Sequence, residues 1–117
     1  MNAALQYGAN LISAYEMHDI GIKAILQRIP SGGRFYITVD ADGMDPTVMP
    51  AVNAPTPGGL TWLQIREFIH GIVNKGRVLG IDLVEISPQF EKGNITFIHA
   101  ERLLCNFIGA TVRADYF

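Results

Sequence analysis

The hydrophobic and polar positions of this chain alternate between two periods, which predicts helices interleaved with strands. A mostly apolar run of strand length, residues 34–39 (RFYITV), ends at Asp40, and a second run, residues 78–86, ends before Pro88. A shorter apolar run at residues 10–13 predicts a third strand. Apolar stripes with helical spacing predict helices at about residues 2–7, 13–30, 61–76 and 95–112.

Near-continuous apolar strands separated by helices are typical of a parallel sheet covered on both faces. The sequence therefore predicts an α/β fold, with residues 1–117 as one segment and a sheet of about three strands. Ligands of such sheets bind outside the carboxyl ends of the strands. A long loop rich in Pro and Gly, residues 43–59, follows the first of these ends. Loops of this length inside compact domains are usually functional.

Three carboxylates gather where the first long strand ends, at Asp40, Asp42 and Asp45. If the strand geometry continues, its repeat of two residues places Asp40 and Asp42 on one face, with their Cα atoms roughly 7 Å apart. Both side chains would then reach a common cation or cation pair. Because two carboxylates that nothing neutralises repel each other, a metal site is the economical explanation for this arrangement.

The remaining acids and the histidines have other predicted roles. Asp45 falls out of the strand phase beside Pro46, so it is more simply a helix or turn cap. Glu85 ends the second long run on the cleft side, where it is well placed to bind a cationic group. Asp82 is a strand acid, which more often holds a neighbouring segment through hydrogen bonds. Surface or packing positions are predicted for His18, His70 and His99.

Composition excludes several classes of partner. The chain has 9 Lys and Arg against 11 Asp and Glu, and its formal net charge of −2 gives no electrostatic footprint for nucleic acid or an anionic membrane. No apolar run approaches membrane-spanning length, and the first residues do not resemble a signal peptide. Cys105 is the only cysteine, so no intrachain disulfide forms. We therefore expect an unprocessed cytoplasmic protein.

Two other acidic motifs share part of the pattern. A calcium-binding EF-hand loop that began at Asp40 would need glycine and glutamate where this chain has Asp45 and Ala51, so this motif is excluded. An Asp-x-Asp phosphatase uses the first acid as nucleophile and the second as general acid. Met44 stands where such phosphatases usually carry Thr or Val, and the expected downstream lysine and acidic pair are not evident. The phosphatase is the weaker alternative.

Three segments, in this order and spacing, resemble the ureohydrolase family of arginases, agmatinases and formiminoglutamases, and the agmatinase side in particular. They are residues 37–46 (ITVDADGMDP), residues 54–61 (APTPGGLT) and residues 80–88 (GIDLVEISP). The resemblance implies a three-layer αβα arginase-like fold, of which this chain would be the C-terminal portion. It also implies hydrolysis of an agmatine-like guanidino compound to urea and an amine.

The resemblance also implies a binuclear Mn²⁺ site. Asp40 would bridge the two ions, Asp42 would bind one of them, and Glu85 would contact the guanidinium group of the substrate. Carboxylate oxygens suit Mn²⁺, and two such ions lower the pKa of a shared water until it can act as the nucleophile. Because the family commonly forms trimers or hexamers, we expect a homo-oligomer of the full-length protein.

Two departures from the family pattern limit these expectations. Residues 51–54 (AVNA) replace a Gly-Thr-Gly-Thr stretch in the loop that faces the substrate, which leaves the guanidino compound open. The family also draws metal ligands from an upstream His-x-Asp pair that this chain lacks. Since two carboxylates cannot hold two metal ions in a catalytic geometry, we expect the isolated chain to be inactive. A three-stranded sheet would also leave an unpaired edge. The alternative is a stand-alone, non-catalytic assembly module.

Overall fold

The computed structural model describes residues 2–116 and the side chains of residues 3–116. Helices and strands alternate as the sequence predicts, which confirms the α/β class. In chain order they are α1 (Asn2–Gln6), α2 (Ala14–Gln27), β1 (Arg34–Asp40), α3 (Trp62–Lys75), β2 (Arg77–Val84) and α4 (Ile95–Arg113). A short 3₁₀ turn, Ala41–Gly43, directly follows β1. A second one, Pro88–Phe90, lies shortly after β2.

Strands β1 and β2 form a parallel pair, so both of their carboxyl ends lie at the same edge of the sheet. The register pairs Ile37 with Ile81 and Asp40 with Val84, and it shifts once between Phe35 and Tyr36. The connection between the strands runs through the long loop and α3, as parallel pairing requires. The acids that follow the two strands are therefore brought to one end of the sheet.

The sheet has two strands within residues 2–116, so the prediction of about three strands is wrong. Residues 10–13, the predicted third strand, have no regular structure. Asn10 and Leu11 are exposed, and the segment ends at Ser13, whose hydroxyl accepts the N–H of Glu16 at the start of α2. The last of these four residues caps α2, and no strand in the described residues pairs with them, so they do not form a strand.

Helix α2 is interrupted at Gly21, whose φ of 78° and ψ of 160° lie outside the helical region. Only glycine adopts this backbone conformation without strain. The break separates the turns before Gly21 from the turns after it, which bury Ile22 and Ile25. The predicted single helix over residues 13–30 is therefore two shorter helical pieces, one before Gly21 and one after it, and the second ends at Gln27.

Helix α3 begins at a complete capping box. The hydroxyl of Thr61 accepts the N–H of Gln64, and the Gln64 side chain accepts the N–H of Thr61. This reciprocal pair satisfies two of the donors that a helix start leaves without partners. Helix α3 then packs on α2 and α4 and contributes four buried side chains to the core. They are Ile65, Ile69, Ile72 and Val73.

The core lies between α3, α4 and one face of the sheet, which contributes Ile37 and Val39. Apolar side chains also remain outside it, including Tyr36 at 64% and Leu79 at 61% exposure. Within residues 2–116, neither β1 nor β2 has a strand partner on its outer side. No helix in this part of the chain is both long enough and apolar enough to span a bilayer.

Candidate functional site

The first pair of acids occupies a tight turn at the end of β1. Asp40 is the last residue of the strand, and its Oδ1 accepts the N–H of Asp42 at 2.9 Å. The chain then makes the 3₁₀ turn Ala41–Gly43, with Ala41 completely buried. The predicted continuation of strand geometry from Asp40 to Asp42 is therefore wrong, because the capping bond folds the chain back at once. The turn still keeps the two carboxylates within two residues of each other at the sheet edge.

The long loop after this turn is held by Asp45. One carboxylate oxygen of Asp45 accepts the N–H and the hydroxyl of Thr47, and the other accepts the N–H of Gly58 at 3.0 Å. The hydrogen bond from the Thr47 hydroxyl is the main reason that the pKa of Asp45 lies below its usual value. These contacts confirm that Asp45 is a structural cap.

Backbone bonds complete the attachment of the loop. Leu60 donates to the carbonyl of Gly43, and Asp45 donates to the carbonyl of Leu60. A Cβ atom on Gly59 would lie 2.5 Å from the carbonyl carbon of Met44, so only glycine fits where these two segments meet. The two ends of the loop are therefore fixed against each other beside the carboxylates.

The middle of the loop lies over the end of β2 and against Asp42. Ser87 donates its N–H to the carbonyl of Ala51 at 2.8 Å, and Val52 forms an antiparallel bridge with Ile86. The N–H of Ala54 lies 3.5 Å from Oδ1 of Asp42. Residues 51–54, where the sequence departs from the family pattern, thus adjoin the candidate metal ligand.

Glu85 lies at the same end of the sheet as Asp40. Since Val84 pairs with Asp40 and Glu85 is the next residue, the exposed Glu85 follows β2 where β1 also ends. Its φ of 63° is unusual for a residue other than glycine, and such conformations concentrate at functional sites. Asp82 lies farther back in β2 and accepts the hydroxyl hydrogen of Tyr36 at 3.1 Å. The structure therefore places Glu85, but not Asp82, at the carboxyl end of the strand pair.

The three histidines make contacts that hold the fold together. His18 presents Nε2 to the carbonyls of Gly58 and Gly59 at 3.1 Å each, so Nε2 carries the proton in this arrangement. His99 Nδ1 lies 2.7 Å from the carbonyl of Val48, and His70 Nδ1 lies 3.3 Å from the guanidinium of Arg113. These contacts agree with the predicted packing and surface roles.

A cavity of about 390 Å³ opens beside the loop and has no counterpart in the sequence predictions. Residues 50–55 form one side of it, and residues 89–92 after β2 form the other. Asn53, Gln89 and Lys92 contribute polar side chains to its lining. Nothing in the sequence pattern joins these positions, because they meet only when the loop lies on the end of β2.

The carboxylates of Asp40 and Asp42 are suitable ligands for Mn²⁺, but two of them are too few to complete a metal site. Asp40 Oδ2 and Asp42 Oδ2 accept no hydrogen bond from another residue within 2–116, so each acid has an oxygen available to a cation. Hard oxygen donors of this kind are suited to Mn²⁺. Across the same residues, however, no three His, Cys, Asp or Glu side chains gather closely enough to hold a metal ion. The chain provides part of a ligand set for such a site.

Comparison with known proteins gives a consistent result. The model of the Arginase family matches residues 1–109. An agmatinase from Chromobacterium violaceum is 32% identical over 86% of this chain and 32% of its own length. A guanidinobutyrase from Pseudomonas aeruginosa is 31% identical over 96% of this chain and 37% of its own. The chain thus spans about a third of the length of these relatives.

Solved structures agree on the fold. The proclavaminate amidino hydrolase from Streptomyces clavuligerus superposes on 97% of this chain with a TM-score of 0.89 and 26% identity, and the match covers 40% of that enzyme. The two-stranded sheet is therefore part of a larger arginase-like architecture in the proteins that it resembles. These matches favour the ureohydrolase interpretation over the Asp-x-Asp phosphatase.

Proposed function

Because the chain belongs to the Arginase family, on its agmatinase side, we propose that it forms part of a ureohydrolase that converts a guanidino compound to urea and an amine. The observation that carries this proposal is the meeting of Asp40, Asp42 and Glu85 at one end of the parallel pair. The ends of parallel strands are where α/β enzymes bind their ligands.

Within this proposal Asp40 and Asp42 bind Mn²⁺. The Asp42 N–H holds one oxygen of Asp40, and the Ala54 N–H approaches one oxygen of Asp42, which leaves the second oxygen of each available to a cation. When bound, a pair of Mn²⁺ ions supplies Lewis acidity and makes a shared water more acidic. Glu85 binds the guanidinium group through charge-assisted hydrogen bonds and orients it.

The remaining ligands come from residues outside this chain, because those described here do not complete a metal site. We therefore propose that the chain is the C-terminal portion of a longer enzyme, consistent with its span of about a third of its relatives. The substrate is a guanidino compound of the size of agmatine or guanidinobutyrate, and the longer enzyme is a cytoplasmic homo-oligomer, a trimer or hexamer, with no nucleic-acid or membrane partner.

The test uses what we call the extended enzyme, which is this chain joined to the remainder of a ureohydrolase. One form replaces the matching third of the Chromobacterium violaceum agmatinase with the aligned part of this chain. We expect urea release from at least one compound in a panel of guanidino amines and guanidino acids. Asp40→Ala and Asp42→Ala should each lower both urea release and bound manganese by about a hundredfold or more.

A folded extended enzyme that releases no urea from any compound would contradict the proposal. It would favour the alternative of a non-catalytic assembly module. Glu67→Gln is the matched control, because Glu67 is an exposed acid within α3 that has no role in the proposed site.

A further inference from the structure

We propose that the 390 Å³ cavity between residues 50–55 and residues 89–92 binds the anionic tail of the substrate, which makes the substrate a guanidino acid. This inference rests on the proposed function, since it concerns the end of the substrate opposite the guanidinium. The sequence left the substrate class open, and Lys92 is the residue that would select a guanidino acid over a guanidino amine.

The polar side chains that line the cavity include one cation and two amides, all of which can donate hydrogen bonds. Lys92, Asn53 and Gln89 are the residues of the lining with polar side chains, and no acidic residue lines the cavity. None of these three side chains hydrogen-bonds to another residue within 2–116. The nearby carboxylate of Glu91 is occupied, because it accepts the backbone N–H groups of Lys92, Gly93 and Thr96. A lysine and two amides in a lining that itself contains no acid form a site for a carboxylate.

The apolar part of the lining suits the carbon chain of such a ligand. Val52, Pro55 and Phe90 contribute to the walls, and Phe90 is half exposed within residues 2–116. Contact with methylene groups would remove this surface from water. The apolar walls therefore suit the carbon chain of a guanidino acid, and the polar residues suit its carboxylate.

The cavity adjoins the candidate catalytic acids. Asn53 and Pro55, which line it, are the two chain neighbours of Ala54, whose N–H lies 3.5 Å from Asp42. On the other side, the bridge between Val52 and Ile86 places the wall one residue from Glu85. A guanidinium held by Glu85 beside Asp42 would thus have its tail in reach of this cavity. Lys92 would attract a carboxylate there and repel an ammonium group.

The test measures binding without metal and without turnover. The 117-residue chain, labelled with ¹⁵N, is titrated separately with 4-guanidinobutanoate, agmatine and butylguanidine, which share a guanidinium on chains of equal carbon number. We expect the guanidino acid to shift the side-chain amide signals of Asn53 and Gln89. Its Kd should be about tenfold lower than that of agmatine, with butylguanidine between them. In Lys92→Glu the order should reverse.

Lys23→Gln is the control, since Lys23 is an exposed lysine on α2, outside the cavity lining. It should leave all three Kd values unchanged. The inference fails if agmatine binds as tightly as the acid, if no ligand shifts the two amides, or if Lys92→Glu keeps the original order. If the Lys92→Glu variant does not fold, the order of the three Kd values measured on the unsubstituted chain decides whether the inference holds. Urea release by the extended enzyme is a separate readout, so failure of this inference and failure of the proposed function are distinguishable.

Discussion

Glu85 shows how a single residue can carry both a structural cost and a chemical role. It follows β2 with a φ of 63°, a conformation that residues other than glycine rarely adopt, and its side chain makes no hydrogen bond to another residue in 2–116. A position selected only for stability would favour glycine or asparagine there. The conformation ends the strand and turns the chain at the point where β1 also ends. We infer that a carboxylate is retained here for its charge.

The first prediction concerns Glu85→Gln in the extended enzyme. The amide keeps the size of the side chain but loses the negative charge that binds a guanidinium, so kcat/KM should fall by about 10- to 100-fold. Bound manganese per chain should stay the same, because the proposed ligands are Asp40 and Asp42. Steady-state urea assays and metal analysis of the same sample measure the two effects. Equal losses of metal and activity would instead make Glu85 a ligand or a support of the metal site.

The second prediction concerns Asp45→Asn, which keeps an acceptor for Thr47 but places an amide opposite the N–H of Gly58. The loop should loosen, and hydrogen exchange of the Gly58 amide should accelerate by about tenfold. Because the pKa of Asp45 is lowered in the folded chain, its stabilising contribution is present above its ordinary pKa. That contribution is lost as the pH falls through the folded value. Unchanged exchange at Gly58 would show that the contact does not hold the loop.

At the scale of the elements, the start of α4 depends on a residue outside the helix. The N-cap position holds Asn94 in a left-handed conformation, and its side chain makes no capping bond. Instead Glu91 accepts the N–H groups of Lys92, Gly93 and Thr96. These bonds lower the pKa of Glu91 to about 2. A carboxylate at a helix N-terminus also interacts favourably with the helix dipole.

The third prediction is therefore a pH-dependent loss of stability that Glu91→Gln removes. Since the folded pKa is about 2 and the ordinary value is 4.5, the contribution of Glu91 is complete above about 4.5 and is lost as the pH falls towards about 2. At pH 7 the substitution should lower Tm by about 3–6 °C, and the difference between the two proteins should shrink in acid. Thermal unfolding followed by circular dichroism from pH 2 to pH 7 measures it.

Glu101→Gln is the matched control for this series, because Glu101 is an exposed acid within α4, beyond its first turn, and no hydrogen bond to it is found within residues 2–116. Its Tm should follow that of the unsubstituted chain at every pH. A Glu91→Gln protein whose Tm deficit did not depend on pH would show that the carboxylate acts through its shape and not through its charge.

Patterns within a few residues of sequence predicted most helices and strands, but they did not predict where a helix breaks or where a strand turns. The caps at Ser13 and Thr61 and the strand that ends at Asp40 follow from spacing within a few residues. The break at Gly21 was missed because a glycine inside an apolar stripe is compatible with a continuous helix. The turn after Asp40 was missed because it depends on a side chain that caps its own backbone two residues later.

The site was predictable only in part for a similar reason. Asp40, Asp42 and Glu85 each follow a strand, and parallel pairing is enough to place such residues at one edge. The cavity with Asn53 and Lys92 depends on how the loop of residues 43–59 packs on the end of β2, through contacts such as the hydrogen bond from Ser87 to Ala51. No local pattern encodes a contact between segments so far apart in sequence.

At the scale of the whole molecule, the fold within residues 2–116 lacks what an independent α/β domain provides. Its sheet has two strands, and apolar side chains such as Tyr36 and Leu79 are exposed on and beside them. Outer strand edges and exposed apolar surface are ordinarily covered by further elements in sheets of this kind. The match to relatives about three times as long is consistent with such elements. We expect them to supply both the missing cover and the missing metal ligands.

The last prediction follows from this shortage of ligands. The 117-residue chain alone, with Mn²⁺ present, should release no more urea from agmatine or arginine than the same chain carrying Asp40→Ala and Asp42→Ala. The reason is that a catalytic pair of ions needs more donors than two carboxylates, and the described residues bring no third ligand close. A colorimetric urea assay compares the two chains, with the extended enzyme as the positive control. Urea release by the unsubstituted chain above its double variant would mean that it completes a metal site by itself, for example between copies, and that the absent ligands are not required.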